Sequence, residues 1–143
     1  MPDVVERIRF IQPQQRPDFL WLAALCDVML DPIHFGGGNT TFESLALGVP
    51  VVTLPSGFLR GRITLALYRE MNFLDCVVAN SAQYADLAVR LGTDEAFRGR
   101  ISAKILQANS ALFECSAGIR QLEEFLVDAV EKAADATGVP GPN

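Results

Sequence analysis

One short stretch of the sequence combines the residue types that bind an anion through backbone amides and hydroxyls. Glycines let the backbone approach a ligand closely, and the free N–H groups at the start of a helix, together with the helix dipole, favour negative charge. Threonine hydroxyls can donate to phosphate oxygens, and an asparagine can cap the helix or contact the same anion. This stretch, here called the glycine loop, consists of Gly36, Gly37, Gly38, Asn39, Thr40 and Thr41.

Two observations limit what this loop indicates on its own. Thr41 stands where the third glycine of a GxGxxG fingerprint would be, and no GxxxxGK[ST] motif is present. The loop is equally compatible with a flexible turn followed by a helix cap. Glu43, near the end of the first helical turn, would repel a phosphate at close range but could accept hydrogen bonds from the hydroxyls of a ribose one sugar away.

Strand and helix patterns alternate along the chain and place the loop at a strand-to-helix crossing. Short β-type runs at Arg7–Ile11, Asp27–Asp31, Val51–Leu54 and Cys76–Ala79 are separated by helical patterns. The intervening helices are predicted at Asp18–Cys26, Thr40–Leu47, Leu59–Asn72 and Ser81–Gly92, the last of them capped by Ser81. This alternation predicts an α/β fold with a parallel sheet of about four strands and right-handed crossovers. In such sheets ligands bind beyond the carboxyl ends of the strands, where the glycine loop falls.

The end of the sequence departs from this alternation. Thr93 is predicted to cap a first C-terminal helix, and a second helix from about Ala117 to Ala134 carries an apolar face that we expect to pack back on the sheet. We expect one domain over residues 1–136 and a disordered tail over 137–143. Four strands are few for a doubly wound domain, so the chain is interpreted as a fragment whose open sheet edge permits self-association.

Composition excludes several classes of function. A net charge of −5 argues against a nucleic-acid binder. The apolar runs are too short to cross a bilayer and the N-terminus lacks the features of a secretory signal, so we expect a cytoplasmic protein without membrane association. Cys26, Cys76 and Cys115 are widely spaced in apolar context, which suits free thiols and not a disulfide framework or a metal site.

A longer pattern around the loop makes the interpretation specific. The segment DVMLDPIHFGGGNTTFESLALGVPVVTLP resembles the C-terminal catalytic half of the bacterial O-linked N-acetylglucosamine transferase and SPINDLY group, glycosyltransferase family 41. The resemblance continues through FLRGRITLALYREM and YADLAVRLGTDEAFRGRI to SALFECSAGIRQLEEFL, and so covers Arg7 to about Val130.

The resemblance implies a fold and a set of binding residues. The fold would be the C-terminal, Rossmann-like domain of a GT-B enzyme, which binds the nucleotide sugar. Asn39, Thr40 and Thr41 match the diphosphate-binding triplet, in which several relatives have His at the position of Asn39. Glu43 matches the acidic residue that binds ribose. Two further positions, Arg16 and Phe19, fall near a Lys that contacts the nucleotide and a His that stacks on uracil in relatives.

Arg60 and Arg62 precede the next predicted helix at the same end of the sheet. A cation there could balance the charge that glycosyl transfer builds on the diphosphate leaving group, although exposed loop arginines are an equally good description. His34 is the only histidine, and we assign it no catalytic role because relatives place their catalytic candidates in the preceding half of the enzyme. No metal or other cofactor is expected.

The expected function is therefore nucleotide-sugar binding within an inverting glycosyltransferase that modifies protein Ser or Thr hydroxyls. UDP-N-acetylglucosamine is the expected donor. GDP-fucose, the donor of some SPINDLY proteins, and a non-catalytic nucleotide-binding module remain as alternatives. A tetratricopeptide array and a catalytic half upstream would favour the enzyme. We expect the isolated chain to be inactive, with acceptor contacts supplied by regions outside it.

Overall fold

The computed structural model describes residues 2–113 and 116–137, and it confirms the α/β class. Within these two ranges no helix is both long and apolar enough to cross a membrane. The helices are α1 (Pro2–Glu6), α2 (Arg16–Ala24), α3 (Asn39–Ala46), α4 (Ile63–Glu70), α5 (Ser81–Thr93), α6 (Glu95–Ala108) and α7 (Ser116–Thr137), with 3₁₀ turns at Leu59–Gly61 and Asn109–Leu112.

The sheet is parallel, as predicted, but smaller than predicted. Strand β1 (Met29–Leu30) pairs with β2 (Val51–Val52), with Met29 opposite Val51. The expected fourth strand reduces to one parallel bridge between Thr53 and Val77. Val77 N–H donates instead to the carbonyl of Leu74, so this segment turns before it can extend the ladder.

The prediction of a first strand at Arg7–Ile11 is wrong. These residues follow helix α1, and the N–H groups of Arg7 and Ile8 bond back to carbonyls of that helix. A strand needs a neighbour for its backbone groups, and Phe10 is 95% exposed with no sheet beside it. Among the described residues β1 is consequently an edge strand, and self-association through that edge stays a prediction.

The core lies between the two strands and helices α3 to α6. Each helix contributes side chains from one face, including Leu45, Tyr68, Leu91 and Ile105, all 0% exposed. The Tyr68 hydroxyl donates to the carbonyl of Val51 at 2.9 Å and accepts from its N–H at 3.0 Å. This side chain therefore ties α4 to β2 and fixes the layer that supports the glycine loop.

Two helix caps differ by one residue from the prediction. Asn80, and not Ser81, caps α5 by accepting a hydrogen bond from Gln83 N–H at 2.9 Å. Asp94, and not Thr93, caps α6. In each case the cap is the last residue with extended backbone, where a short side chain reaches the N–H groups of the first turn.

The expectation that the last helix packs on the sheet is also wrong. Every described side chain of α7 is exposed, including Leu122 and Phe125 on its apolar face. Helix α6, by contrast, buries Ile101 and Ile105. Helix α7 extends to Thr137, the first residue of the tail predicted over 137–143. Residues 138–143, like Cys115, lie outside the described residues.

Candidate functional site

The glycine loop leads from the carboxyl end of β1 into an uncapped helix. Gly38 occupies the N-cap position of α3, and no side chain caps the helix. Among the described residues nothing accepts a hydrogen bond from the N–H groups of Gly38, Asn39 or Thr40. Asn39 and Thr40 are also exposed. The first turn therefore presents three free backbone donors at the positive end of the helix dipole.

A buried carboxylate holds the start of this loop. Asp31, 4% exposed, accepts a hydrogen bond from Gly37 N–H at Oδ1 and another from the Thr53 hydroxyl at Oδ2, both at 2.7 Å. The Tyr84 hydroxyl donates to the backbone carbonyl of Asp31 at 2.9 Å. Burial, and then the charge of Asp31, raise the pKa of Tyr84, so this hydroxyl remains a donor at neutral pH.

Two of the three glycines are required by close contacts. A Cβ on Gly36 would lie 2.9 Å from Asp31 Oδ1 and 3.3 Å from the carbonyl oxygen of Arg60. A Cβ on Gly37 would overlap the hydroxyl oxygen of Thr41. Gly38 has open space around it, so its place in the site depends on its N–H group and not on a lack of room.

The two threonines face different ways. Thr40 is exposed, whereas Thr41 is 3% exposed and its hydroxyl oxygen lies 3.4 Å from that of Thr64. Only Thr40 presents its hydroxyl to solvent beside the free N–H groups. Thr41 instead links the start of α3 to α4. The prediction that both hydroxyls contact an anion remains untested, and the geometry favours Thr40.

A groove of about 610 Å³ lies beside the loop and contains an ion pair between Arg16 and Glu43, two residues that the sequence assigns separately to nucleotide binding. Arg16 Nε donates to Glu43 Oε1 at 2.9 Å, and the Arg16 side chain is 78% exposed while that of Glu43 is 18% exposed. The structure thus brings together Arg16, Glu43 and Asn39. The groove is lined by Arg16, Leu20, Asn39, Phe42, Glu43, Ala46, Leu47 and Phe113.

The other predicted site residues, Phe19, Arg60 and Arg62, lie in different surroundings. Phe19, half-buried in the first turn of α2, does not line the groove; its neighbour Leu20 does. Arg60 adjoins the loop, because its carbonyl accepts from Gly36 N–H at 2.8 Å. Arg62 lines a different groove of about 540 Å³.

The side chain of Arg60 is turned toward residues beside the loop. Its Nε donates to the carbonyl of His34 at 3.2 Å, and its guanidinium lies 4.9 Å from the ring centroid of Phe58. His34 therefore contributes a backbone acceptor here. Arg62 shares its groove with Arg69 and Glu70, so the structure separates the two arginines that the sequence placed together.

Sequence reasoning missed the residues that shape the loop from behind. Asp31 was identified only as a strand end, and Thr53 and Tyr84 were not singled out. The available signal was an acidic residue at the carboxyl end of a strand directly before a glycine-rich loop. The described residues contain no cluster of three or more His, Cys, Asp or Glu side chains suited to a metal ion.

Comparisons with known proteins agree on one family. The family model for glycosyl transferase family 41 matches residues 5–122. A Caenorhabditis elegans UDP-N-acetylglucosamine–peptide N-acetylglucosaminyltransferase is 29% identical over 84% of this chain and 11% of its own length. A Petunia hybrida protein named as a probable enzyme of the same kind, SPINDLY, is 30% identical over 74% of this chain and 12% of its own length.

A solved structure supports the same assignment. A mutant of the Thermobaculum terrenum O-GlcNAc transferase superposes with a TM-score of 0.73 at 31% identity, over 89% of this chain and 24% of the other. The chain thus spans only a small part of the relatives that it matches. Its fold is that of part of this O-GlcNAc transferase, and the chain belongs to glycosyl transferase family 41.

Proposed function

We propose that this chain is the donor-binding part of a glycosyltransferase that moves N-acetylglucosamine from UDP-N-acetylglucosamine to protein Ser or Thr hydroxyls. The observation that carries the proposal is the uncapped start of α3, where three N–H groups have no acceptor among the described residues and lie beside a groove containing an acidic side chain. The names of the C. elegans and petunia relatives, which specify UDP-N-acetylglucosamine, support this donor.

The proposed binding mode gives each group a separate role. The N–H groups of Gly38, Asn39 and Thr40, with the Thr40 hydroxyl, bind the diphosphate. Glu43 accepts from the ribose hydroxyls through Oε2, since Oε1 is already engaged by Arg16. The Arg16 guanidinium offsets the carboxylate charge near the diphosphate.

The same arrangement suits the chemistry of transfer. The acceptor hydroxyl gives its proton to a base that we assign to regions outside this chain, and its oxygen attacks the anomeric carbon. The bond to the diphosphate breaks, and negative charge grows on the nucleotide that leaves. Fixed N–H donors and the helix dipole stabilise that charge without reorganising. Arg60, whose carbonyl accepts from Gly36 N–H, supplies a second cation beside the loop for the same task. The chain alone is expected to bind the donor without transferring sugar, because acceptor contacts are assigned to regions outside it.

Calorimetric titration of the 143-residue chain with UDP, UDP-N-acetylglucosamine and GDP-fucose tests this function. We expect the two uridine ligands to bind, and we expect Glu43→Gln and Thr40→Ala each to weaken UDP by about tenfold, the effect of losing one charge-assisted hydrogen bond. Thr93→Ala is the matched control, since the Thr93 hydroxyl bonds only to the carbonyl of Val89 in α5.

Three outcomes separate the alternatives. Preferential binding of GDP-fucose that Glu43→Gln weakens would replace the proposed donor with the fucosyl donor. Binding of UDP that neither site variant weakens would place the ligand elsewhere. An absence of binding by all three nucleotides would contradict the proposed function of the chain.

A further inference from the structure

We propose that Asp31 is the positioning residue of the glycine loop: its buried carboxylate fixes the direction in which the free N–H groups of Gly38, Asn39 and Thr40 point. In this role Asp31 acts through the loop backbone, to which it is joined by the bond from Gly37 N–H. The inference deepens the proposed function and rests on it for the identity of the ligand.

Asp31 is held from several directions. Its N–H donates to the carbonyl of Val52 at 2.9 Å, which anchors it to β2. Its own carbonyl accepts from the Tyr84 hydroxyl at 2.9 Å, which anchors it to α5. The Thr53 hydroxyl then fixes the carboxylate through Oδ2. With these three contacts in place, Oδ1 is a fixed acceptor for the loop.

The loop is tied to this acceptor at one point and to a carbonyl at the next. Gly37 N–H donates to Asp31 Oδ1 at 2.7 Å, a short distance typical of a charge-assisted bond. Gly36 N–H donates to the carbonyl of Arg60 at 2.8 Å. Two successive N–H groups thus turn inward, and the following three are left without an acceptor in the described residues. Both inward bonds lie within the chain, and in this proposal they preorganise the loop.

The lack of a side chain at Gly36 also helps to keep the Asp31 carboxylate in place. Because a Cβ there would lie 2.9 Å from Asp31 Oδ1 and 3.1 Å from Oδ2, any larger residue would displace the carboxylate. Asp31 is 4% exposed, and no Lys or Arg side chain pairs with its carboxylate in the described part of the chain. A buried charge without a cation is costly, which suits a role in fixing one geometry more than a role in stability.

Three variants test the proposal: Gly36→Ala, Thr53→Val and Asp31→Asn. Gly36→Ala pushes the carboxylate away, and Thr53→Val removes the donor to Oδ2 while keeping the side-chain shape. Asp31→Asn retains Oδ1 for Gly37 N–H, and its Nδ2 can donate to the Thr53 hydroxyl oxygen. Gly99→Ala is the control, since a Cβ on Gly99 meets nothing within 4 Å.

NMR-detected titration of the full chain measures the affinity for UDP and the affinity for uridine. A loss of UDP affinity without a loss of uridine affinity is the effect expected of a misaligned loop. We expect Gly36→Ala and Thr53→Val to weaken UDP about tenfold, the loss of aligned backbone donors, and to leave uridine unchanged. Asp31→Asn should bind UDP with an affinity within about threefold of that of the parent chain, since both hydrogen bonds are retained. Gly99→Ala should bind both as the parent does. A loss that is equal for UDP and uridine, or UDP affinity unchanged in Gly36→Ala, would overturn the proposal.

Hydrogen exchange at the Gly37 amide separates this inference from the proposed function. If the parent chain does not bind UDP, the proposed function fails, but the exchange rate still reports whether Asp31 holds the loop. We expect slow exchange in the parent and in Asp31→Asn, and exchange in Gly36→Ala and Thr53→Val that is faster than their loss of global stability, measured by denaturant unfolding, accounts for. Equal rates in all four proteins would overturn the positioning role.

Discussion

The sequence predicts both the glycine loop and helix α7, but the structure anchors the loop on other segments of the chain and leaves α7 exposed. The loop is fixed by Asp31, Thr53 and Tyr84, which come from segments far apart in sequence. In α7 every described side chain is exposed. Local patterns are therefore sufficient to predict that a helix forms, whereas its place in the molecule depends on contacts that no local pattern contains.

The difference also separates two kinds of exposure. Around the loop, exposed groups such as Asn39 and Thr40 sit on a buried and hydrogen-bonded base. On α7 the exposed groups are large and apolar, including Phe125 at 65% and Leu122 at 57%. The first arrangement prepares a polar surface for a small ligand. None of the α7 side chains that the structure describes is buried in the core.

Removal of a core side chain beneath the loop should have the largest effect on stability. Leu45 is 0% exposed and lies in α3, the helix that the loop introduces. Leu45→Ala is expected to lower the free energy of unfolding by about 2–5 kcal/mol, because it removes buried apolar contacts and leaves a cavity. Denaturant unfolding measures this loss. A loss below about 1 kcal/mol would show that α3 is not packed as described.

Alkaline pH should weaken the same core. Burial raises the pKa of the Cys76 thiol from 9.0 to about 12, and burial also raises the pKa of Tyr68 well above its usual value. The folded state therefore holds these protons more tightly than the unfolded state. The stability that they represent is complete below pH 9 and is lost as the pH rises toward about 12.

Unfolding measured across this pH range, with Cys76→Ala as the comparison, tests the assignment. The variant lacks one titrating group and should lose less stability between pH 9 and about 12 than the parent chain does. Identical pH profiles for the two proteins would contradict the buried position of this thiol.

Loss of a single buried hydroxyl should have an intermediate effect. Tyr68→Phe leaves both the N–H and the carbonyl of Val51 without their side-chain partner. The expected loss is about 1–3 kcal/mol, the usual cost of unsatisfied buried polar groups. Thermal unfolding measures it, and a variant as stable as the parent chain would contradict the bond between α4 and β2.

Substitution on α7 should have the smallest effect. Leu126 is 53% exposed, so Leu126→Ala is expected to change the free energy of unfolding by no more than about 0.5 kcal/mol. This is the counterpart of Leu45→Ala, with the same chemical change in a helix of the other region. If the two variants were equally destabilised, α7 would have to pack against the core in solution.

The sequence predicts much of the helical framework, for an identifiable reason. Helices α3 to α6 begin with turn or cap residues and repeat apolar residues every three or four positions, and this information is local. Strand pairing is not local. The Arg7–Ile11 segment has strand-type residues but no neighbour, and Val77 forms only one bridge because the chain turns at Leu74.

The site shows the same division. The glycine loop and Glu43 could be found from residue types and from the family resemblance. The position of Asp31 directly before the loop is visible in the sequence, but its role is not, since that role depends on contacts with Thr53 and Tyr84. The separation of Arg60 from Arg62 could not be predicted either. The two residues are two positions apart in sequence, but their side chains lie in different surroundings.

Backbone amide NMR of the full chain during UDP titration tests whether the start of α3 binds the diphosphate of a nucleotide sugar. We expect the amide signals of Gly38, Asn39 and Thr40 to shift most and to saturate together, while that of Gly99 in α6 stays in place. Saturable shifts confined to residues away from this loop, or no shifts at all, would contradict it.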